Sequence, residues 1–328
     1  MNNIDLVIPW VDGSDPDWQA QKSKYLKRKS SNDGFYRDNG LLRYWFRSVE
    51  KNMPWIRNLF FVTYGHLPDW LNTAHPKLRI INHADYLLPE FLPTFSVIPI
   101  NLNLHRIEGL SEHFIYAEDD IFFVGKQRPE DFFSDEGIPK DFLWLMPVTE
   151  QFSGDFIHIM LNNVMFLNKH FDMQSCMTGM ETALFSDAYP GKVKEENKKY
   201  LSLTRFPGFK ETHLAYPLLK SSFEELWKKD IMSFYTTSMH KFRSVADINI
   251  ALIRDYQLVK GKFEPFYPQG RYFRDTASQD IIKLLLDENT SMICINESNN
   301  AGYSEEKEAE ICSCFEKRFP EASSFELR

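Results

Sequence analysis

Three consecutive acids, Glu118-Asp119-Asp120, stand between the apolar runs His113-Phe114-Ile115-Tyr116 and Ile121-Phe122-Phe123-Val124. A strand that enters a core and leaves it on three carboxylates must bring them to water or to cations, because an unpartnered buried carboxylate is very costly. A divalent metal, or a nucleotide phosphate held through one, is the usual cation-bearing partner in α/β enzymes. A solvated hairpin tip would satisfy the run as well, so its neighbours decide.

Those neighbours alternate strand and helix. Ile4 to Val11 is an apolar strand that ends in the turn Asp12-Gly13-Ser14-Asp15-Pro16. Asp38 or Asn39 can cap a helix through Leu41 to Val49, with Leu42, Trp45, Phe46 and Val49 on its apolar face and Arg43, Arg47 and Glu50 pointing elsewhere. Leu59 to Gly65 and Leu78 to Asn82 read as further strands, and a helix around Ile100 to Ile107 leads to the acidic strand. This rhythm predicts an α/β fold with a mostly parallel sheet flanked by helices. Ligands of such sheets bind beyond the carboxyl ends of the strands. Asp12, Tyr64 to His66 and Asp119-Asp120 would share that rim.

The second half is less regular. Phe142 to Met146 and Asn163 to Leu167 read as strands, Phe223 to Lys229 and Val245 to Asp255 as helices. Lys192 to Lys199 is a charge run suited to a solvated loop or helix, and Ser304 to Arg328 reads as an amphipathic helix. At 328 residues the chain suits one large α/β domain or two intimate lobes, 1–150 and 151–328, with a soft boundary.

A formal net charge of −8 argues against nucleic acid as a partner. The apolar start carries Asp5 and lacks a basic leader, so it does not read as an export signal. No segment approaches the roughly 18 apolar residues of a membrane span. Cys176, Cys294, Cys312 and Cys314 show neither metal-ligand nor disulfide-framework spacing. A cytoplasmic enzyme is the expectation. Lys22, Lys24, Lys27, Arg28 and Lys29 form a basic stretch that could meet anionic lipid at the inner face of the cell membrane, although a solvated helix explains it as well.

Within an acidic chain, any anionic substrate needs local cations. Arg37, Arg43, His105 and Arg106 are candidates, since arginine matches phosphate oxygens bidentately, and surface ion pairs are the competing explanation. Asp12 and Asp15 could act at the rim or merely cap their turn. His213 in Glu211-Thr212-His213 and Arg243 in Lys241-Phe242-Arg243-Ser244 are further candidates. So are Asn296 and Glu297, which follow the apolar Cys294-Ile295. Spacing alone does not choose among these readings.

Four blocks together resemble the Stealth family of sugar-phosphate transferases. That family includes bacterial capsule phosphotransferases and the catalytic part of the animal N-acetylglucosamine-1-phosphotransferase. The first block is Ile4 to Trp18. The second runs from Tyr36-Arg37-Asp38-Asn39-Gly40-Leu41-Leu42-Arg43 through Leu104-His105-Arg106 to Asp119-Asp120. The third centres on His213 and Pro217, and the fourth runs from Phe242-Arg243-Ser244 to Gly261-Lys262. Glu118 stands where the family commonly has Asn, and Asn296-Glu297 where it has Asn-Asp.

The resemblance implies a GT-A/Rossmann-like nucleotide-sugar-binding core with a less regular C-terminal half. It implies transfer of hexose-1-phosphate or N-acetylhexosamine-1-phosphate from a UDP-sugar to a hydroxyl of an oligo- or polysaccharide, lipid-linked or free, with release of UMP. Roles are implied residue by residue. Asp119, Asp120, His213 and Arg243 would be catalytic, with His213 the acid/base group and Arg243 on the diphosphate. Asp12, Asp15, Arg37, Asn39, Arg43, His105 and Arg106 would bind substrate. Asp119, Asp120, Asn296 and Glu297 would hold a divalent metal, Mg2+ or Mn2+. The competing readings are a GT-A-type glycosyltransferase that releases UDP and a non-catalytic assembly scaffold.

Overall fold

Strand β1 (Ile4–Pro9) is buried along its whole length, as expected of a strand at the middle of a parallel sheet covered on both faces. In the computed structural model, which describes residues 3–26, 40–149, 154–274, 278–287, 290–296 and 305–327, β1 pairs in parallel with β2 (Leu59–Thr63) and β4 (His113–Tyr116). Strand β3 (Leu78–Asn82) extends the sheet beyond β2. Three short strands, β5 (Ile121–Phe122), β6 (Lys140–Asp141) and β8 (Glu264–Pro265), lie outside this sheet, whereas β7 (Tyr216–Leu219) closes its other edge antiparallel to β4. The order is β3-β2-β1-β4-β7. A strand of the second half therefore completes the sheet of the first.

Side-chain alternation divides the core between the two faces. Val7, Phe60, Val62, Phe114 and Tyr116 point to one side. Leu6, Ile8, Leu59, Phe61 and Ile115 point to the other. The first face is covered by helices Asp155–His170, Lys220–Lys229, Ile231–Ser238 and Ala251–Val259. The second is covered by α2 (Leu42–Asn52), by the C-terminal helix Glu305–Arg318, and by a small sheet in which β10 (Met292–Asn296) lies between β5 and β9 (Gly270–Arg274). Before α2, helix α1 (Pro16–Tyr25) starts on Asp15, whose Oδ1 accepts from Trp18 N at 2.6 Å, with Pro16 in the first turn where its missing N–H costs nothing.

Helix α2 buries the expected stripe of Leu42, Trp45, Phe46 and Val49. The proposed caps Asp38 and Asn39 lie outside the described residues. Arg47 corrects the expectation of an outward side chain. It is buried, with Nε 2.8 Å and Nη2 3.0 Å from the two Glu326 carboxylate oxygens and Nη1 on the Phe319 carbonyl.

The second half brings more corrections. Asn163–Leu167 is not a strand but lies within Asp155–His170, where Ile159, Met160, Asn163, Phe166 and Leu167 are buried at helical spacing. Phe142–Met146 is not a regular strand: Phe142 to Leu145 are buried, Met146 is half-buried, and Leu145 alone bridges, to Phe209. The helix expected over 100–107 is Val97–Leu102 followed by a 3-10 turn, Leu104–Arg106, and that expected over 245–255 is Ala251–Val259. The charge run does form a helix, Gly191–Tyr200, anchored by buried Val193 and Asn197. The tail is helical only to Arg318.

Candidate active site

Strand direction gathers the chemistry. Asp12 follows β1, Tyr64 to His66 follow β2, and Glu118-Asp119-Asp120 follow β4, all at the carboxyl ends of parallel neighbours. Because β7 is antiparallel, with Tyr216 opposite Tyr116, the residues just before it arrive at the same rim, and His213 is among them. Strand β10 pairs with β5 through Cys294 opposite Ile121, and Ile295 N donates to the Asp120 carbonyl at 2.9 Å. That register sets Cys294 and Asn296 beside the acids.

The resulting group is tight. His213 Nε2 lies 3.5 Å from Glu118 Oε2, 3.5 Å from Asp120 Oδ2 and 3.2 Å from the Asn296 amide. The Cys294 thiol donates to Asp120 Oδ2 at 3.4 Å. Tyr116 donates to Glu118 Oε1 at 2.6 Å and accepts from the Asn101 amide, so Glu118 is oriented from the core. Asp119 is the exposed member of the run.

Two features set His213 apart. Its φ is 51°, the one positive value among the described non-glycine residues, a conformation that costs on the order of 1 kcal/mol or more and that gathers at functional sites. Burial opposes its charge, yet the hydrogen bond and charge of Asp120, then the charges of Glu118 and Glu211, prevail and push its pKa up to about 9. His213 is thus an imidazolium near neutrality, above the neutral range expected for a proton-transfer histidine.

A second group occupies the β1–β2 part of the rim. Asp12 N donates to His66 Nε2 at 2.7 Å, while the Asp12 carboxylate accepts from Ser14 N and Oγ at 2.8 and 2.6 Å. Asp15 caps α1 and lies 3.8 Å from His66 Nδ1. Both acids therefore make local turn and cap contacts. Tyr64 faces Phe95, Phe95 stacks on Phe242 at 5.4 Å, and Phe95 N donates to the Lys241 carbonyl. This aromatic relay joins Arg243, exposed on the next residue, to the same side of the molecule.

Other expected site residues have partners of their own. His105 and Arg106 come before β4, at its amino end, where His113 pairs with Leu219. His105 stacks on Phe223 there, and burial, with Arg106 and Lys220 nearby, lowers its pKa to about 3, so it is neutral and no phosphate-binding cation. Arg106 lies over the Trp227 ring and donates to Asn103. Arg43 sits in the first turn of α2, with its guanidinium 3.5 Å from Glu326 and over Trp70. Arg37, Asn39 and Glu297 lie outside the described residues. So do Lys27, Arg28 and Lys29 of the basic stretch, while Lys22 is buried against Trp18.

Sequence reasoning put His66 and Glu118 at the rim without naming either as a site residue, and gave no role to Glu211 or Cys294. His66 stands straight after a strand at the rim, and Glu211 two residues before His213, which were the available signals. Cys294 carried none, since it reads as one more apolar residue within a strand.

The chemistry of the donors bears on a divalent ion. Asp120 Oδ1 is buried without a hydrogen-bond partner, an oxygen a cation would satisfy. Ligand atoms of Asp120, His213 and Cys294 lie within 4.8 Å of one another. Burial, with the charge and hydrogen bond of Asp120, raises the Cys294 thiol pKa well above its usual value. A protonated thiol is a poor ligand for a hard ion, whereas carboxylate and amide oxygens suit Mg2+ or Mn2+. The oxygen donors of Asp120 and Asn296 fit such an ion.

Comparison with known proteins identifies relatives along the whole chain. Residues 2–30 match the model "Stealth protein CR1, conserved region 1", and residues 35–141 match "Stealth protein CR2, conserved region 2". A capsular polysaccharide phosphotransferase WcwK of Streptococcus pneumoniae is 36% identical over 99% of this chain and 99% of its own. A receptor polysaccharide phosphotransferase WefC of Streptococcus gordonii is 34% identical over 100% of both chains. An exopolysaccharide phosphotransferase cps2G of Lactiplantibacillus plantarum is 34% identical over 99% of this chain and 96% of its own. Among solved structures, the galactosyltransferase LgtC with donor and acceptor sugar analogues is 13% identical, with a TM-score of 0.38 over 98% of this chain and 96% of that one. That likeness is too loose to carry residue roles across.

Proposed function

We propose a specific reaction for a chain that belongs to the Stealth family and is, like its relatives, a phosphotransferase of capsule or exopolysaccharide synthesis. It moves hexose-1-phosphate or N-acetylhexosamine-1-phosphate from a UDP-sugar to a glycan hydroxyl. The acceptor oxygen bonds to the phosphorus that bears the sugar, the bridge to the second phosphorus breaks, UMP leaves with the bridging oxygen, and the hydroxyl proton passes to solvent water. The sugar keeps its anomeric configuration because its carbon–oxygen bond is untouched.

The observation that carries this reading is the pairing of Asp120, one oxygen of which is buried and partnerless, with His213 at the rim. Displacement at phosphorus gathers negative charge on oxygens and calls for cations and oriented donors. Asp120 and Asn296, with Asp119 beside them, would hold a divalent ion, Mg2+ or Mn2+, which when bound would neutralise phosphate charge. His213, held as an imidazolium by Glu118 and Asp120, faces the reacting groups as the proton donor to the departing phosphate. Arg243 binds diphosphate from the Phe95–Phe242 side, and the turn of Asp12 and Asp15 with His66 lines the donor pocket. In this reading residues 1–150 carry the donor side and residues 151–328 complete the site. No helix among the described residues is long and apolar enough to cross a membrane, and the reading places the work at the inner membrane face, on a glycan that is lipid-linked during assembly.

The test is product analysis. Incubation with UDP-sugars, divalent metal and glycan acceptor should release UMP and put phosphorus in the product. Release of UDP with a phosphorus-free product would replace this reading with glycosyl transfer.

A further inference from the structure

The exposed large apolar side chains are not scattered. Met165, Met232 and Ile231 are 68%, 63% and 59% exposed, and hydrogen bonds and an ion pair between their elements draw them together with Leu161 and Val245. Leu161 and Met165 lie one turn apart on the same face of Asp155–His170. Asn162, between them in sequence, donates to the Val245 carbonyl at 2.8 Å. Lys169, the next turn along, pairs with Asp230 at 2.7 Å, and Asp230 directly precedes Ile231 and Met232.

Cations edge this face. Lys169 lies on it, Lys228 and Lys229 end the helix just before Asp230, and Arg205 donates to the Asn168 carbonyl beside it. Among the acids on these elements, Asp230 holds Lys169 and His170, Asp172 caps Ser175, and Glu224 lies one turn before Lys228. In a chain of net charge −8, apolar side chains within a lysine and arginine rim match an anionic bilayer, with the methionines and isoleucine in the acyl boundary and the cations at the headgroups. Two copies meeting through this face would set like charges against each other.

We propose that this face, and not the basic stretch at 22–29, seats the enzyme on an anionic membrane. Val245 is two residues from Arg243, so this face adjoins the arginine assigned above to the diphosphate, and a lipid-linked acceptor would reach the site from it. The acceptor assignment rests on the function proposed above, but the seating does not.

The experiment is co-sedimentation of the full chain with phosphatidylcholine vesicles, with and without phosphatidylglycerol. Binding should require the anionic lipid and weaken with salt. Met165→Ser with Met232→Ser, and separately Lys228→Glu with Lys229→Glu, should each lower the bound fraction about tenfold, while Lys24→Glu leaves it unchanged. UMP release with a soluble acceptor should be the same in all four proteins. Absence of binding by the unaltered chain, or undiminished binding by the two double variants, overturns the proposal. So does a dimer in solution that Met165→Ser with Met232→Ser dissolves, since the face would then join two copies. Failure of the unaltered chain to release UMP while it binds vesicles would count against the proposed reaction alone.

Discussion

Asp5 and Asp120 are carboxylates of one sheet, at opposite ends, and they are treated in opposite ways. Asp5 is fully buried near the start of β1, and each of its oxygens is used. Arg57 Nε and Nη2 reach Oδ1 and Oδ2 at 2.8 and 2.5 Å, Asn58 N donates to Oδ1 and Ser111 N to Oδ2. Asp120, beyond the carboxyl end of β4, has one buried oxygen with no partner and another met by a weak thiol donor and an imidazole 3.5 Å away. A carboxylate whose partners are all built in has a structural job. One left underpaired beside a strained histidine is waiting for a ligand.

The sharpest way to break this comparison is to remove each charge in turn. Asp120→Asn should cut UMP release about a thousandfold, in the range seen when a group that stabilises transition-state charge is lost, and leave urea unfolding unchanged. Asp5→Asn should do the reverse. Stranding Arg57 and the amides should cost about 3 kcal/mol in stability, with turnover per folded molecule intact. If Asp120→Asn instead unfolded the protein and spared turnover, the two ends would be alike and the site assignment wrong.

A smaller effect isolates the strained residue. His213→Gly relieves the positive φ and removes the imidazole. Turnover should fall at least about a hundredfold, while stability holds or rises by about 1 kcal/mol. A stability loss of several kcal/mol would show that His213 is held for packing.

The sequence reveals one end of the sheet more readily than the other. Apolar runs ending in Asp12, His66 and Glu118-Asp119-Asp120 mark the rim, because a parallel strand buried on both faces has one composition and its exit another. His105 and Arg106 seemed to belong with the acids because only a few residues separate them from that strand. They precede it, however, and a strand delivers the residues before it and the residues after it to opposite ends. The burial of Arg47 could not be read locally, since Glu326 is 279 residues away. Asn163–Leu167 misled because a short apolar run fits strand or helix until the spacing of Ile159, Met160 and Phe166 is counted with it. Asn296 was legible beside an apolar strand, but its approach to His213 depends on the register of β10 against β5.

The smallest prediction concerns two histidines at the two ends. His213 is held charged by acids, whereas His105, packed on Phe223 and beside Trp227, is held neutral with a pKa of about 3, chiefly by burial. An unfolded histidine titrates at about 6.5. Between about pH 6.5 and 3 the unfolded chain therefore takes up a proton at residue 105 that the folded chain refuses, and stability must fall as pH falls through that window. From about pH 6.5 to 5 the loss due to this one side chain is about 2 kcal/mol. His105→Phe keeps a ring against Phe223 and removes the titration. Its urea-unfolding free energy should drop less between about pH 7 and pH 5 than that of the unaltered chain, by that same amount, whatever the offset at neutral pH. Equal slopes would mean that His105 accepts its proton in the folded state, and the contrast between a neutral amino end and a charged carboxyl end of the sheet would no longer stand.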